Sequence, residues 1–166
     1  MLRIVTMGVA GCGKSTTGAA LARHLGVSFF EGDTLHSPES RARMAAGQPL
    51  TDADRLPWLH RVAAVLQDRA PVVVACSALR RSYRDILRQG AGGPVVFLHI
   101  TGPQEVLAAR LAARTDHFFP ASLMDSQLAT LEPPDPDETA LALRFDQPLA
   151  AQVAQAAQWL SARGLS

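Results

Sequence analysis

The chain has 166 residues, and 16 lysine and arginine residues against 15 aspartate and glutamate residues give it a net charge of +1. This length predicts a single domain, and the dispersal of the arginines argues against a nucleic-acid surface. No apolar run approaches the roughly 18 residues that a membrane span needs, and we expect no signal peptide before the first predicted strand. The two cysteines, Cys12 and Cys76, lack metal-binding spacing and indicate a reduced, cytoplasmic protein.

Apolar patterning along the chain predicts strands that alternate with helices. Strands are predicted at residues 2–7, 27–30, 72–76, 95–100 and 142–145. Helices are predicted at residues 15–25, 38–46, 52–69, 79–89, 104–114, 123–131 and 149–162, with Thr51 or Asp52 capping the third. This order predicts an α/β fold, a three-layer sandwich with a five-stranded parallel sheet. Ligands are then expected at the carboxyl ends of the strands.

A glycine-rich loop lies between the first predicted strand and the first predicted helix. Residues 8–15 read Gly-Val-Ala-Gly-Cys-Gly-Lys-Ser, which matches the phosphate-binding pattern G-x-x-x-x-G-K-[ST] in its expected context. Lys14 is the only lysine in the chain, and all the other basic residues are arginines. A compact ammonium fits between two phosphates under a tight loop, where a planar guanidinium is too wide. The sequence therefore predicts a nucleotide-binding P-loop with Lys14 as a catalytic residue.

The loop also predicts the groups that bind ATP. Backbone N–H groups and the positive end of the helix dipole would hold the phosphates, and glycines 8, 11 and 13 would adopt positive φ. The predicted ATP-binding residues are Gly8, Val9, Ala10, Gly11, Cys12, Gly13, Lys14, Ser15 and Thr16. Ser15 is also the predicted Mg²⁺ ligand. Cys12, at a helix N-terminus, is expected to have a lowered pKa and to be reactive.

Asp33 and His36 follow the second predicted strand. A carboxylate at this position can accept the proton of a substrate hydroxyl during phosphoryl transfer. A turn or cap aspartate is the alternative, and the nearby phosphate loop favours the catalytic role for Asp33. No predicted strand ends in an aspartate that could bind Mg²⁺ through a water molecule. We therefore hypothesise that Ser15 and Asp33 together bind Mg²⁺. His36 alone is a weak signal, because single histidines more often serve as surface or core hydrogen-bonding groups.

Two groups of arginines have helical spacing. Arg80, Arg84 and Arg88 share one face, which is either a clamp for an anionic substrate or a solvated surface. Arg110 and Arg114 precede a long segment, residues 115–136, which we predict to be a lid that closes over the nucleotide. These two arginines either stabilise the transferring phosphoryl group or satisfy carbonyls at the helix end.

Together these residues resemble the gluconokinases of the small P-loop kinase type over nearly the whole chain. The similar segments are residues 7–15, 32–36, 47–59, 76–85, 117–119 and 127–134. The phosphate loop is shared by many families, whereas Cys-Ser-Ala-Leu-Arg-Arg-Ser-Tyr-Arg-Asp at 76–85 and Asp-Arg-Leu-Pro-Trp-Leu at 54–59 are far more specific. The chain departs from the family pattern at Glu31, where aspartate is usual, and at Thr115-Asp116 before His117.

The resemblance implies a nucleoside-monophosphate-kinase-like architecture and a homodimer. It implies that ATP, with Mg²⁺, phosphorylates D-gluconate at its 6-hydroxyl to give 6-phosphogluconate and ADP. Residues 33–60 would bind the acceptor, with Asp33 as the base. Implied gluconate contacts are Asp33, His36, Arg55, Arg80, Tyr83, Arg84 and His117, and implied nucleotide contacts are Arg110 at the adenine, Arg114 at the phosphates as a catalytic residue, and Gln147 and Pro148 bordering the adenine.

Other functions remain as alternatives. A shikimate kinase should carry a glycine triplet after the third strand, where this chain has Ser77-Ala78-Leu79. A nucleoside monophosphate kinase would need a reader for a second base, and none is obvious. A GTP-binding switch is excluded, because its Asn-Lys-x-Asp motif needs a second lysine. A nucleotide sensor without catalysis stays open, since sequence does not show turnover.

Overall fold

A computed structural model describes residues 1–114 and 120–165. Its strands are β1 (Arg3–Met7), β2 (Ser28–Glu31), β3 (Val72–Ala75), β4 (Val96–Thr101) and β5 (Ala140–Arg144). Its helices are α1 (Lys14–Leu25), α2 (Pro38–Ala45), α3 (Asp52–Asp68), α4 (Arg81–Gly90), α5 (Gln104–Ala112), α6 (Ala121–Thr130) and α7 (Leu149–Ala162). A 3₁₀ helix at Gly32–Leu35 follows β2.

The five strands form one parallel sheet in the order β2-β3-β1-β4-β5. β1 lies at the centre, with Val5 paired to Val74 of β3 and to Phe97 of β4. The chain passes from β1 to one side of the sheet and later crosses to the other. The end of β1 is therefore the point where the strand order reverses, which is where α/β sheets of this kind bind ligands.

Apolar side chains cover both faces of the sheet. Val72 and Val74 pack with α3 and α4 in one core, whereas Val73, between them, packs with α1 and α7 in a second core. Because neighbouring side chains on a strand point to opposite faces, a continuous apolar run such as β3 requires cover on both sides. The predicted three-layer α/β sandwich with a five-stranded parallel sheet is confirmed.

All twelve predicted helices and strands are confirmed to within two residues at each end. Thr51 is the cap of α3, since its hydroxyl accepts the Asp54 N–H at 3.1 Å and the Asp54 carboxylate accepts the Thr51 N–H at 2.9 Å. The predicted helix at 79–89 was wrong at its start, because Ala78 has a φ of 45° and Arg80, the N-cap of α4, is still extended. The strand predicted at 142–145 begins earlier, at Ala140, whose pairing with β4 outweighs its low strand propensity.

Among the described residues, none of the helices is both long and apolar enough to cross a membrane.

Candidate active site

The phosphate loop connects β1 to α1, as the sequence predicts. Gly8, Gly11 and Gly13 have φ values of 148°, 78° and 95°, which confirms their predicted positive φ. A Cβ on Gly8 would lie 2.7 Å from the Ile100 carbonyl oxygen, so this position is closed to larger residues. The loop is therefore held against the end of β4 by close backbone packing.

The start of α1 presents backbone donors at the end of this loop. The Thr17 N–H donates to the Gly13 oxygen at 2.9 Å, which is an α-helical hydrogen bond. The N–H groups of the helical residues before Thr17 therefore have no acceptor within the helix. The hydroxyl of Thr6 donates to the Lys14 oxygen at 2.8 Å and fixes the first turn from below. These amides and the helix dipole form an anion-binding end, with the Lys14 side chain beside it.

The structure contradicts the predicted lowered pKa and reactivity of Cys12. Its side chain is fully buried, and burial raises the pKa of the thiol although Lys14 opposes the shift. The sulfur faces Gly8 inside the loop, where an added Cβ would meet it at 2.7 Å. Cys12 therefore packs the inside of the loop and is shielded from solvent.

A cavity of about 400 Å³ opens beside the loop, at the carboxyl ends of β1, β2 and β3. It brings together five predicted site residues, which are Ala10, Lys14, Asp33, His36 and Arg55. The lining also includes residues that are not in the predicted set of site residues, among them Arg41, Trp58, Ser77, Ser126 and Gln127. Ser77 follows β3 and Gln127 begins the family-like segment 127–134, so both had a signal in the sequence, whereas Ser126 had none.

His36 is nearly buried in the wall of this cavity. Its ring stacks on Trp58 with centroids 4.0 Å apart and an interplanar angle of 16°. The Trp58 indole N–H donates to the Gly32 oxygen at 2.8 Å and so holds the 3₁₀ helix that carries Asp33. Burial lowers the pKa of His36 to about 4, although the negative charge of Asp33 acts to raise it. Its Nδ1 atom is itself buried and has no hydrogen-bond partner among the described residues.

Three of the predicted acceptor contacts form one cluster with Asp52. The Tyr83 hydroxyl donates to an Asp52 carboxylate oxygen at 2.5 Å, and Arg55 donates to the Tyr83 oxygen at 3.2 Å. Asp52 also lies 3.7 Å from Arg55 and 3.8 Å from Arg80. Arg55 reaches the cavity, whereas Arg80 and Tyr83 do not line it. Asp52 was predicted only as a possible helix cap, and its position three residues before Arg55 on one helix was the available signal for this cluster.

Arg84 does not face the cavity, and its predicted gluconate contact is wrong. Its side chain is fully buried and donates to both carboxylate oxygens of Glu138, at 2.8 and 3.0 Å. It also donates to the Ala78 and Leu79 oxygens, at 2.9 and 3.3 Å. With its donors engaged in this way, Arg84 holds the turn after β3 and has no face for a substrate. Arg88, on the same helix, also pairs with Glu138.

The predicted adenine-side residues gather around Phe145. Arg110 donates to the Phe145 oxygen at 2.6 Å and lies over its ring, with 4.9 Å from the guanidinium carbon to the ring centroid. The Gln147 oxygen accepts from the Gln152 side chain at 3.0 Å, and Pro148 is the N-cap of α7. Arg110 and the segment that carries Gln147 therefore lie in one region, and their contacts with adenine stay a prediction.

Arg114 and the predicted lid are only partly described. Arg114 is exposed and lines a second cavity of about 360 Å³ between α5 and α6, apart from the one that holds Lys14. The helix predicted near 123–131 is confirmed as α6. His117, with Phe118, Phe119 and the Thr115-Asp116 departure, lies outside the described residues.

Comparison with known proteins identifies the family. Residues 4–134 match a family described as an AAA domain. The chain is 50% identical to a gluconokinase of Gluconobacter oxydans, over 81% of this chain and 78% of the other. It is 41% identical to the thermoresistant gluconokinase of Escherichia coli, over 90% of this chain and 88% of the other. The chain belongs to the gluconokinase family.

Solved structures agree with this placement in the gluconokinase family. A gluconokinase from Sinorhizobium meliloti matches with a TM-score of 0.86 and 50% identity, covering 96% of this chain and 91% of the other. A shikimate kinase from Bacteroides thetaiotaomicron matches with a TM-score of 0.68 at 21% identity, covering 96% and 98%, which shows a shared fold alone. The P-loop kinase fold and the use of ATP follow from these relationships.

Proposed function

We propose that the protein transfers the γ-phosphoryl group of ATP to the 6-hydroxyl of D-gluconate, giving 6-phosphogluconate and ADP. The observation that carries this proposal is the composition of one cavity. Lys14 of the phosphate loop and the Asp33 carboxylate line it together with His36 and Arg55. Phosphate-binding, proton-accepting and carboxylate-binding groups therefore surround one space of suitable size for a small acceptor.

The functional groups of gluconate suit the side chains that line this cavity. Its single carboxylate suits the Arg55 guanidinium, which can form charge-assisted hydrogen bonds with it. Its hydroxyls suit polar side chains of the lining such as His36. With the carboxylate at Arg55, the far hydroxyl would lie toward Asp33 and Lys14.

The transfer step then needs little covalent chemistry from the protein. Asp33 would accept the proton of the 6-hydroxyl as its oxygen attacks phosphorus, and the bond to the ADP oxygen breaks on the opposite side. Lys14 and the amides at the start of α1 would stabilise the negative charge on the transferring group. Arg110 and Arg114 would act from the adenine side and the lid side, as the family resemblance implies.

Mg²⁺ fits the residues present at this site. The Ser15 hydroxyl and the Asp33 carboxylate are oxygen donors of the kind that Mg²⁺ prefers, and phosphates and water usually complete its shell. A buried Glu31 oxygen, two residues before Asp33, has no hydrogen-bond partner among the described residues. When bound, Mg²⁺ neutralises charge on the β- and γ-phosphates. We propose that Ser15 and Asp33 hold it.

We also propose a homodimer in the cytoplasm. The family resemblance implies the dimer, and light scattering at micromolar concentration tests it, with a monomer mass as the contradicting result. Cys12 and Cys76 are both free and buried, which suits a reducing compartment.

Release of ADP from Mg-ATP with different acceptors tests the function. We expect turnover with D-gluconate and none with shikimate, AMP or water alone. Turnover with shikimate or AMP would overturn the acceptor and leave the fold unchanged. ATP binding without turnover on any acceptor would favour a nucleotide sensor.

The role of Asp33 has its own test. Asp33→Asn should lower kcat by about 10²- to 10⁴-fold, because the proton acceptor is lost. Asp68→Asn, at an exposed site at the end of α3, is the matched control and should leave kcat unchanged. Near-full turnover of the Asp33 variant at saturating Mg²⁺ would exclude both its proposed roles.

A further inference from the structure

The phosphate loop has two halves with different partners. In its first half, the Gly8 N–H donates to the Ser77 oxygen at 3.2 Å and the Ala10 N–H donates to the Gln127 side-chain oxygen at 2.7 Å. Its second half leads into the amides at the start of α1, which face the phosphate site. The first half is therefore tied to other parts of the protein, and the second half is the part that can bind phosphates.

The two residues that accept hydrogen bonds from the first half of the loop both line the acceptor cavity. Ser77 follows β3, Gln127 belongs to α6, and both line the cavity together with Lys14 and Asp33. Within residues 1–114 and 120–165, Gln127 is the one side chain that accepts a hydrogen bond from a backbone N–H of the loop. It lies 117 positions from Ala10 in sequence, so this bond closes a long-range contact.

Helix α6 is a firm support for this contact. Met124, about one turn before Gln127, and Leu128, directly after it, pack against the core on the α1 side of the sheet. Just beyond the helix, the Glu132 N–H donates to the Leu79 oxygen at 2.8 Å. The glutamine therefore projects from a packed helix whose far end is bound to the turn after β3.

We propose that Gln127 is a positioning residue for phosphoryl transfer, which fixes the Ala10 segment of the phosphate loop relative to the acceptor cavity. This inference rests on the proposed kinase function. A misplacement of about 1 Å between reacting groups can cost about 10²-fold in rate. A neutral carboxamide suits the task, because it accepts the N–H without placing a negative charge beside the phosphates.

The test compares Gln127→Met, which keeps length and loses the acceptor oxygen, with Gln127→Glu, which keeps that oxygen. We expect Gln127→Met to lower kcat about 10- to 100-fold while the KM for ATP changes less than about 3-fold. Gln127→Glu should recover much of kcat at saturating ATP but raise the KM for ATP, because its carboxylate repels the phosphates. Gln155→Met, at an exposed position of α7, is the control and should match the unchanged protein.

Two results would overturn the proposal. One is a Gln127→Met enzyme with kcat within twofold of the unchanged protein. The other is a loss of activity that only follows a loss of folded protein, with normal kcat per folded molecule. Thermal unfolding of each variant separates these cases from a true loss of positioning.

A measurement without acceptor separates this proposal from the proposed function. Amide hydrogen exchange at Ala10, followed by NMR on the protein alone, should be faster in Gln127→Met than in Gln127→Glu or the unchanged chain. Equal exchange in all three would exclude the contact. If the exchange differs but gluconate is not phosphorylated, the acceptor assignment fails and the loop contact stands.

Discussion

Arg84 and Glu138 form a buried, two-pronged ion pair that joins α4 to the segment before β5. Their side chains are 0% and 1% exposed, and Arg84 donates to both carboxylate oxygens. Burial alone would raise the pKa of Glu138, but hydrogen bonds from Arg84, the Asp135 backbone and Arg88 hold it at about 2. Because Arg84 also binds two carbonyl oxygens after β3, the pair supports the turn that carries Ser77.

Removing one partner of this pair should destabilise the fold. Glu138→Ala leaves the Arg84 charge buried and unpaired, and we expect a loss of about 3–5 kcal/mol in the free energy of unfolding, measured by urea denaturation. Arg144→Ala removes an exposed pair with Asp146 and should cost less than about 1 kcal/mol. An Arg84→Ala variant of normal stability with a raised KM for gluconate would restore the original prediction of a substrate contact.

The same pair predicts a pH dependence of stability. The folded-state pKa of Glu138 is lowered from 4.5 to about 2, so the unfolded chain binds this proton more readily. Its contribution is therefore complete above about pH 4.5 and is lost as the pH falls toward 2. Urea denaturation at several pH values should show this loss in the unchanged protein and a flatter dependence in Glu138→Gln. Parallel curves for the two proteins would contradict the assignment.

Cys12 should react slowly with thiol reagents in the native protein. It is buried and its pKa is raised, so access requires local opening of the loop. We expect native labelling by an aromatic disulfide to be at least about 100-fold slower than that of a free thiol. In urea both cysteines should react.

A Cys76→Ala variant isolates Cys12 in this experiment. Cys76 is itself buried, and burial raises its pKa to about 12, so it should contribute little native signal. If the single-cysteine protein is labelled rapidly and ADP blocks the labelling, Cys12 is reactive, as its position at a helix N-terminus predicts.

The fold could be predicted from the sequence because its determinants are local. The unbroken apolar run of β3 requires cover on both faces, and the glycine loop between a strand and a helix indicates a P-loop at the centre of the sheet. The errors lie where tertiary contacts override local preference. Ala78 adopts its unusual φ in a turn bound by Arg84, and no helix propensity reveals that turn.

The site could be predicted only in part. Asp33, His36 and Arg55 share a cavity as expected, because Asp33 and His36 follow a strand and family motifs point to all three. Helical spacing suggested that Arg84 could bind substrate, but spacing does not show which face of α4 is buried. The contact of Gln127 with the phosphate loop joins distant segments, and a single sequence carries no signal for it.

His36 should act as a neutral group throughout the usual assay range. Burial lowers its pKa from 6.5 to about 4, so the folded protein binds this proton less readily than the unfolded chain. We expect the KM for gluconate to show no inflection between pH 6 and 8 and to rise only near pH 4–5. The contribution of the neutral His36 ring to the free energy of unfolding is complete above pH 6.5 and decreases as the pH falls toward 4.

Variants of two histidines test this assignment. His36→Ala should raise the KM for gluconate about 10-fold, through loss of a hydrogen bond to a ligand hydroxyl, and leave the KM for ATP nearly unchanged. His60→Ala, at an exposed position of α3, should change neither. An inflection near pH 6.5 that disappears in His36→Ala would contradict a lowered pKa.

Tyr83 should influence gluconate binding through Arg55, although it does not line the cavity. Its hydroxyl accepts from Arg55 and donates to Asp52, so Tyr83→Phe removes the group that joins the two charges. We expect the KM for gluconate to rise about 3- to 10-fold, equivalent to one hydrogen bond that orients the guanidinium, while kcat changes less than twofold. Steady-state kinetics with each substrate varied in turn measures both constants.

Arg55→Lys provides the comparison for Tyr83→Phe. Lysine keeps the charge but loses the planar fork that binds a carboxylate through two hydrogen bonds, so we expect a larger rise in the KM for gluconate, about 10- to 100-fold. The effects of the two substitutions should not add in the double variant, because Tyr83 acts through Arg55. Full additivity would mean that Tyr83 binds gluconate directly or acts on stability alone.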